Sequence, residues 1–235
     1  MNVRRFDSYD AMSRYAAFTL AAQIRQKPDS VLGLATGSTP IGLYDALVQI
    51  YQQGLISFRG VTTFNLDEYY GLPAEHPESY HSFMTKHLFS RVDIPAEQTH
   101  LMDGCTTDPT EECRRYEAAI AAAGGLDLQV LGIGFDGHIG FNEPGESFAV
   151  NCHLMELDPS TRAANARFFG GDPEKVPASA LTMGLRCIMG ARRVLLLCNG
   201  PEKHEILKQA ISGPVSPSIP ASILQLHPNT DVLLF

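Results

Sequence analysis

Leu126-Asp127-Leu128-Gln129-Val130-Leu131-Gly132-Ile133-Gly134-Phe135-Asp136-Gly137-His138-Ile139-Gly140-Phe141-Asn142-Glu143-Pro144-Gly145 is an apolar run that breaks into a glycine-rich loop. The run, Leu126 to Ile133, reads as a buried strand. The loop carries Asp136, His138 and Glu143 among five glycines, Gly132, Gly134, Gly137, Gly140 and Gly145. Glycines let the backbone turn tightly and approach a ligand, so three titratable side chains can converge there. This is the pattern of an active-site loop. Gly132, Gly134 and Gly137 also have the spacing of a dinucleotide fingerprint, with Glu156 about 20 positions further on. The fingerprint needs a helix to begin at its third glycine. Here Asn142, Pro144 and Gly145 follow instead, which argues against a nicotinamide cofactor.

Working outward, 235 residues of which 44% are hydrophobic can bury a sizeable core, and an α/β chain of this size is expected to form a single domain, 1–235. The formal charge of −8 comes with no basic run, which disfavours nucleic acid and anionic membranes as partners. Any anionic ligand must be gripped locally. Five cysteines without a CxxC pair fit a reduced, cytoplasmic protein whose thiols are ordinary buried side chains. No apolar stretch is long enough to span a bilayer, and residues 1–7 lack the apolar centre of a signal peptide.

The chain alternates strands and helices. Asp7 to Gln26 has helical spacing, with Asp7 or Ser8 available as a cap. Val31 to Ala35 reads as a buried strand, followed by Thr36-Gly37-Ser38-Thr39-Pro40 and a helix with Thr39 as its cap and Pro40 in its first position. The amides around Gly37, Ser38 and Thr39 can then face an anion, or the turn can be a cap and nothing more. Val61 to Leu66 is a further strand, ending in Asp67-Glu68-Tyr69-Tyr70 at the sheet edge where ligands bind in open α/β folds. Asp67 and Glu68 point oppositely on extended chain, so they are expected to do different jobs; nothing local chooses between them.

Ser79 to Leu88 and Thr110 to Ala123 read as helices, the second capped by Thr110. His76, His81, His87 and His100 follow no zinc-ligand spacing and read as surface or core histidines. From Asn151 to Ala180 prolines and glycines interrupt the pattern, with Arg162 and Arg167 inside, and residues 157–180 are expected to form an active-site lid. Arg193 to Cys198 is a strand, and Lys203 opens a helix where a lysine opposes the dipole, which points to a bound anion or to a merely solvated side chain. A short helix, Ala221 to Leu226, and a last strand, Val232 to Phe235, complete a three-layer, Rossmann-like α/β fold: a mostly parallel sheet with helices on both faces.

Set side by side, the 131–145 loop, Asn65-Leu66-Asp67-Glu68-Tyr69-Tyr70, Thr36-Gly37-Ser38-Thr39-Pro40, Thr161-Arg162 with Asn165-Ala166-Arg167-Phe168-Phe169, and Lys203 after its glycine turn resemble the glucosamine-6-phosphate deaminase family over nearly the whole chain. The resemblance implies ring opening, aldose–ketose isomerisation and deamination of an amino sugar phosphate to fructose 6-phosphate and ammonia, as in amino-sugar catabolism. It implies no redox cofactor and no metal. It makes Asp67 the base at carbon 2, His138 the ring-opening group supported by Asp136 and Glu143, and Gly37, Ser38, Thr39, Arg167 and Lys203 the phosphate grip. Imidazole suits proton transfer near neutral pH, and a carboxylate on its other nitrogen fixes tautomer and orientation.

Larger family members carry a carboxyl-terminal extension and an effector site between subunits. A chain stopping at Phe235 is therefore expected to be non-allosteric, as a monomer or small homo-oligomer. A 6-phosphogluconolactonase-like hydrolase shares an Asp-Gly-His loop, but the extra carboxylate at Glu143 and the Asp67-Glu68-Tyr69 sequence favour the deaminase. A non-catalytic sugar-phosphate sensor would have no need of Asp67, His138 and Glu143 together. A metal hydrolase could use Asp136, His138 and Glu143 as ligands.

Overall fold

A computed structural model describes all of residues 1–235. In chain order the regular elements are β1 (Asn2–Arg5), α1 (Tyr9–Gln26), β2 (Val31–Leu34), α2 (Ile41–Gln52), β3 (Thr62–Asn65), β4 (Asp67–Tyr69), α3 (Tyr80–His87) and β5 (Thr99–His100). There follow α4 (Pro109–Ala122), β6 (Leu128–Gly132), β7 (His153–Glu156), α5 (Pro159–Asn165), β8 (Ser179–Thr182), α6 (Leu185–Met189), β9 (Val194–Cys198), α7 (His204–Ser212) and β10 (Thr230–Leu234). No helix is long and apolar enough to cross a membrane.

Seven strands form a parallel sheet in the order β1-β10-β9-β6-β2-β3-β5, with helices on both faces as the alternation predicts. Because both faces are covered, every residue of β2 and β9 is buried and apolar, and β6 between them is interrupted only by the buried Gln129. From β2 the chain builds outward through β3 and β5, and from β6 it builds the other way. The order therefore reverses between β2 and β6, where the crevice of an open α/β sheet lies.

A second, three-stranded antiparallel sheet, β4-β8-β7, was not anticipated by the sequence. It is joined to the large sheet at Leu66. The Leu66 N–H donates to the Leu34 carbonyl at 2.9 Å, and the Leu66 carbonyl accepts from the Met183 N–H at 2.7 Å.

The helix starts require small corrections. Ser8 caps α1, its hydroxyl accepting the Ala11 amide. Thr39 does not cap α2; Pro40 holds that position without a side-chain bond. Asp108 rather than Thr110 caps α4, accepting the Glu111 amide. Lys203 ends a 3-10 turn, Pro201–Lys203, immediately before α7. The cysteines also depart from uniform burial: Cys113, Cys152 and Cys198 are buried, Cys187 is half-buried and Cys105 is exposed.

Candidate active site

A cavity of about 560 Å³ opens at the carboxyl ends of β2, β3, β6 and β9. Its wall includes Gly37, Ser38, Thr39, Asp67, His138, Arg167 and Lys203. Asp136 and Glu143 stand behind His138 rather than on the wall, so all nine residues singled out in the sequence gather at one place.

The 134–138 loop is a tight turn closed by two backbone bonds, Gly134 N–H to the His138 carbonyl and Gly137 N–H to the Gly134 carbonyl. Asp136 Oδ1 accepts the His138 amide at 3.1 Å. The same Asp136 oxygen lies 2.7 Å from His138 Nδ1, and Glu143 Oε2 lies 3.5 Å from it. The Glu143 side chain is only 6% exposed, and neither of its oxygens has a well-aligned hydrogen bond; its charge faces the imidazole. With Nδ1 turned to the carboxylates, Nε2 is left for the cavity.

Burial works to lower the His138 pKa, but Asp136 and Glu143 outweigh it and push the imidazole up to about 9. Burial likewise works to raise Asp136, yet His138 holds that carboxyl well below the usual carboxylate range. The Nδ1–Oδ1 contact has the length of a charge-assisted hydrogen bond, shorter than the ~3.3 Å that two ligands on a tetrahedral zinc would take given bond lengths near 2.0 Å. This geometry favours an ion pair over a metal centre.

The structure separates Asp67 from Glu68. Glu68 accepts three backbone N–H groups, those of Tyr69, Tyr80 and His81, each at 2.9 Å. Two of these are the leading amides of α3, so Glu68 ties β4 to a helix N-terminus. Asp67, 6% exposed, accepts no protein hydrogen bond and faces the cavity. Burial pushes its carboxyl up to about 8, with the Glu68 charge adding to this and His138 opposing it. Tyr69, Tyr80, Phe141 and Phe169 stack and tilt around this end of the cavity, which keeps the carboxylate poorly hydrated.

At the other end, Gly37 has φ +87, a conformation that glycine adopts without strain, and turns the chain between β2 and α2. The Arg167 guanidinium donates to Ser38 Oγ at 3.2 Å and lies over the Phe168 ring. Lys203 Nζ donates to the Ile133 carbonyl at 2.7 Å and sits over the Phe135 ring. Burial lowers the Lys203 pKa, and the positive charge of Arg167 acts in the same direction. Two cations held together beside helix-start amides form a receptacle for a dianion.

Residues 157–180 hold α5, two 3-10 turns and the first residues of β8. They form a small core of their own, in which Leu157, Ala166, Phe169, Val176 and Ala180 pack against Tyr69 and Phe141. Arg167 therefore reaches Ser38 from an element attached to the small sheet. The cavity wall also includes Tyr80 and Lys86, which the sequence reading does not single out, Asn165, which it quotes without giving it a role, and His87, which it reads as a surface or core histidine. The helical phase of α3 was the available signal, since residues 80, 83, 86 and 87 share one face.

Comparison with known proteins identifies the family. A glucosamine-6-phosphate deaminase of Lachnoclostridium phytofermentans is 51% identical over 99% of this chain and 98% of its own length. One from Geobacillus sp. is 51% identical over 96% of this chain and 90% of its own. Among solved structures, a monomeric glucosamine-6-phosphate deaminase superposes with a TM-score of 0.97 at 44% identity, covering 100% of this chain and 97% of that one. A 6-phosphogluconolactonase from Thermotoga maritima, at 23% identity and a TM-score of 0.77, shares the fold over 99% of this chain and 98% of its own. The family profile described as glucosamine-6-phosphate isomerases/6-phosphogluconolactonase matches residues 5–234, and the chain belongs to that family.

Proposed function

We propose that this protein is a glucosamine-6-phosphate deaminase, converting glucosamine 6-phosphate to fructose 6-phosphate and ammonia in amino-sugar catabolism. One observation carries this reading. An imidazole gripped by Asp136 and Glu143 shares a cavity with a free, buried Asp67 carboxyl and a two-cation receptacle. Lactone hydrolysis requires no second base, and a sensor requires neither.

In this mechanism the phosphate lies against the Gly37–Thr39 amides, Arg167 and Lys203. His138 Nε2 takes the proton of the anomeric hydroxyl and delivers a proton to the ring oxygen as the carbon 1–ring oxygen bond breaks, giving the open aldehyde. Asp136 and Glu143 stabilise the cationic imidazole between these transfers. Asp67 then removes the carbon 2 proton, the electron pair moves toward the carbonyl, and the carbon 1 oxygen gains a proton given up by the substrate's ammonium group, forming an enolamine. Return of the carbon 2 proton to carbon 1 gives an iminium at carbon 2. Water adds there, ammonia leaves, and the ketose remains.

Residues 157–180 act as the lid within a single catalytic domain spanning 1–235, with Arg167 coupling closure to phosphate capture. The same reading makes the protein a cytoplasmic monomer or small homo-oligomer that takes a small sugar phosphate and engages neither nucleic acid nor membrane. The test mixes purified protein with glucosamine 6-phosphate and assays ammonia and ketose phosphate together. Equal yields of the two are expected, unchanged by exhaustive chelation; loss of activity on chelation with recovery on adding zinc would replace this reading with a metal-dependent one.

A further inference from the structure

A second group of chemically capable side chains lies outside the cavity, where α4, the segment entering β7, and α6 meet. Glu117, Cys152 and Cys187 bring one carboxylate oxygen and two sulfurs within 4.8 Å of one another. The approach is built into the backbone. The Leu185 and Arg186 amides donate to the Ala149 and Val150 carbonyls, each at 2.9 Å, which sets the first turn of α6 against the strand entry. Gly184 permits this closeness, since a Cβ there would stand 2.2 Å from the Asn151 carbonyl carbon. Glu117 Oε1 accepts the Cys152 amide at 2.7 Å, which fixes the carboxylate beside the thiol. A separate groove of about 440 Å³, whose wall includes Glu117, Cys187, Arg114, Arg186 and Gly190, opens onto the group.

We propose that Glu117, Cys152 and Cys187 form a binding site for a soft divalent cation of the zinc class, with a fourth coordination position facing the groove. On a tetrahedral zinc, bonds near 2.3 Å to sulfur and 2.0–2.2 Å to oxygen place the ligand atoms roughly 3.6–3.8 Å apart, so the trio, within 4.8 Å, must close by up to about 1 Å, a movement side-chain rotation can supply. Two thiolates select zinc over magnesium or calcium. Both thiols lose their protons on binding, so affinity rises with pH. The bound ion clamps α4 and α6 to β7, the outer strand of the small sheet, and stabilises the fold without entering the reaction.

The test is a Co²⁺ titration of the reduced, chelator-stripped full chain. A thiolate-to-cobalt charge-transfer band in the near ultraviolet is expected, saturating at a single equivalent and displaced by Zn²⁺, with a rise in Tm on adding Zn²⁺. Cys187→Ser, at a half-buried position, is expected to remove both signals and to retain full deaminase activity without metal. Glu117→Gln is expected to weaken binding by at least about tenfold, the low end for losing a supporting group at a metal site. Wild-type protein that shows no thiolate band would overturn the proposal, as would a band that survives in Cys187→Ser. Cobalt bound without the band and with loss of activity would place the ion at Asp136, His138 and Glu143 instead, and would equally overturn it.

Discussion

The imidazole of His138 lies so close to Gly134 that a Cβ on that glycine would stand 2.3 Å from the ring carbon Cε1 and 2.4 Å from Nδ1. Gly134 is not among the glycines with positive φ, so alanine is compatible with its backbone and acts only by displacing the ring. Gly134→Ala is expected to lower kcat/KM by at least about 100-fold, the low end of what a positioned general acid–base contributes. The Tm should change far less than the rate. A variant with near-normal activity would show that the ring position seen here is not the working one.

His138→Gln should leave the enzyme dependent on sugar that opens unaided in water. Asp67 can still act on that open form, so the rate should rise with enzyme concentration only until spontaneous opening limits it. Initial rates at increasing enzyme concentration, beside an independent measurement of ring opening, check this. A rate that climbs past spontaneous opening without bending would assign ring opening to another group.

Asp67→Asn should reduce turnover by at least about 100-fold and abolish solvent exchange of the carbon 2 proton, while stabilising the protein. The Asp67 carboxyl is raised to about 8 by burial, against an ordinary value of about 4. The folded state therefore keeps a proton that the unfolded chain releases, and ionisation costs the native state stability increasingly as pH rises from about 4 to about 8. Asparagine carries no such cost. Denaturation at several pH values should show a gain of more than about 1 kcal/mol at pH 9 that shrinks toward pH 5. A variant less stable than wild type at pH 9 would contradict the burial argument.

The same displaced carboxyl predicts the acid limb of the wild-type profile. The base must be ionised, so kcat/KM, which reports the free enzyme, should rise as pH passes through the region of about 8. A further rise is expected as His138, held up to about 9 by its two carboxylates, loses the proton that keeps Nε2 from accepting one from the anomeric hydroxyl. An acid limb at an ordinary carboxylate value would mean that Asp67 is more hydrated than its surroundings here indicate.

Arg167→Ala and Lys203→Ala should raise KM more than they lower kcat, because phosphate contacts remote from the reacting carbons hold ground and transition states alike. Losing one charge-assisted contact should cost about 1.5–3 kcal/mol. An unchanged KM in either variant would remove that residue from the phosphate grip.

Much of this arrangement was legible in the sequence because its signals are local. β2, β6 and β9 are buried on both faces and read as apolar runs, and the glycine loops follow them directly. The small sheet was not legible. β4 follows β3 after only Leu66, and β7 alternates between half-buried and exposed residues, so neither shows a periodicity strong enough to mark a second sheet. Asp67 and Glu68 could not be told apart on local grounds, since what occupies Glu68 is the start of α3, amides 12 and 13 residues away. The two misplaced caps have different origins: Pro109 in the first helical position points to Asp108 as the cap of α4, whereas at α2 the same rule points to Thr39 and the structure departs from it by putting Pro40 in the cap position.

Leu66 gives its N–H to one sheet and its carbonyl to the other. In the proposed mechanism the phosphate is anchored at the end of β2 and the carbon 2 proton is taken at the start of β4, so the two ends of the substrate are held by different sheets. The span between them works as a caliper whose hinge is this one peptide unit, on the cavity wall next to Asp67. In that mechanism the reach from phosphate to carbon 2 is set by how the sheets are joined at Leu66 and Met183 as well as by the side chains around it.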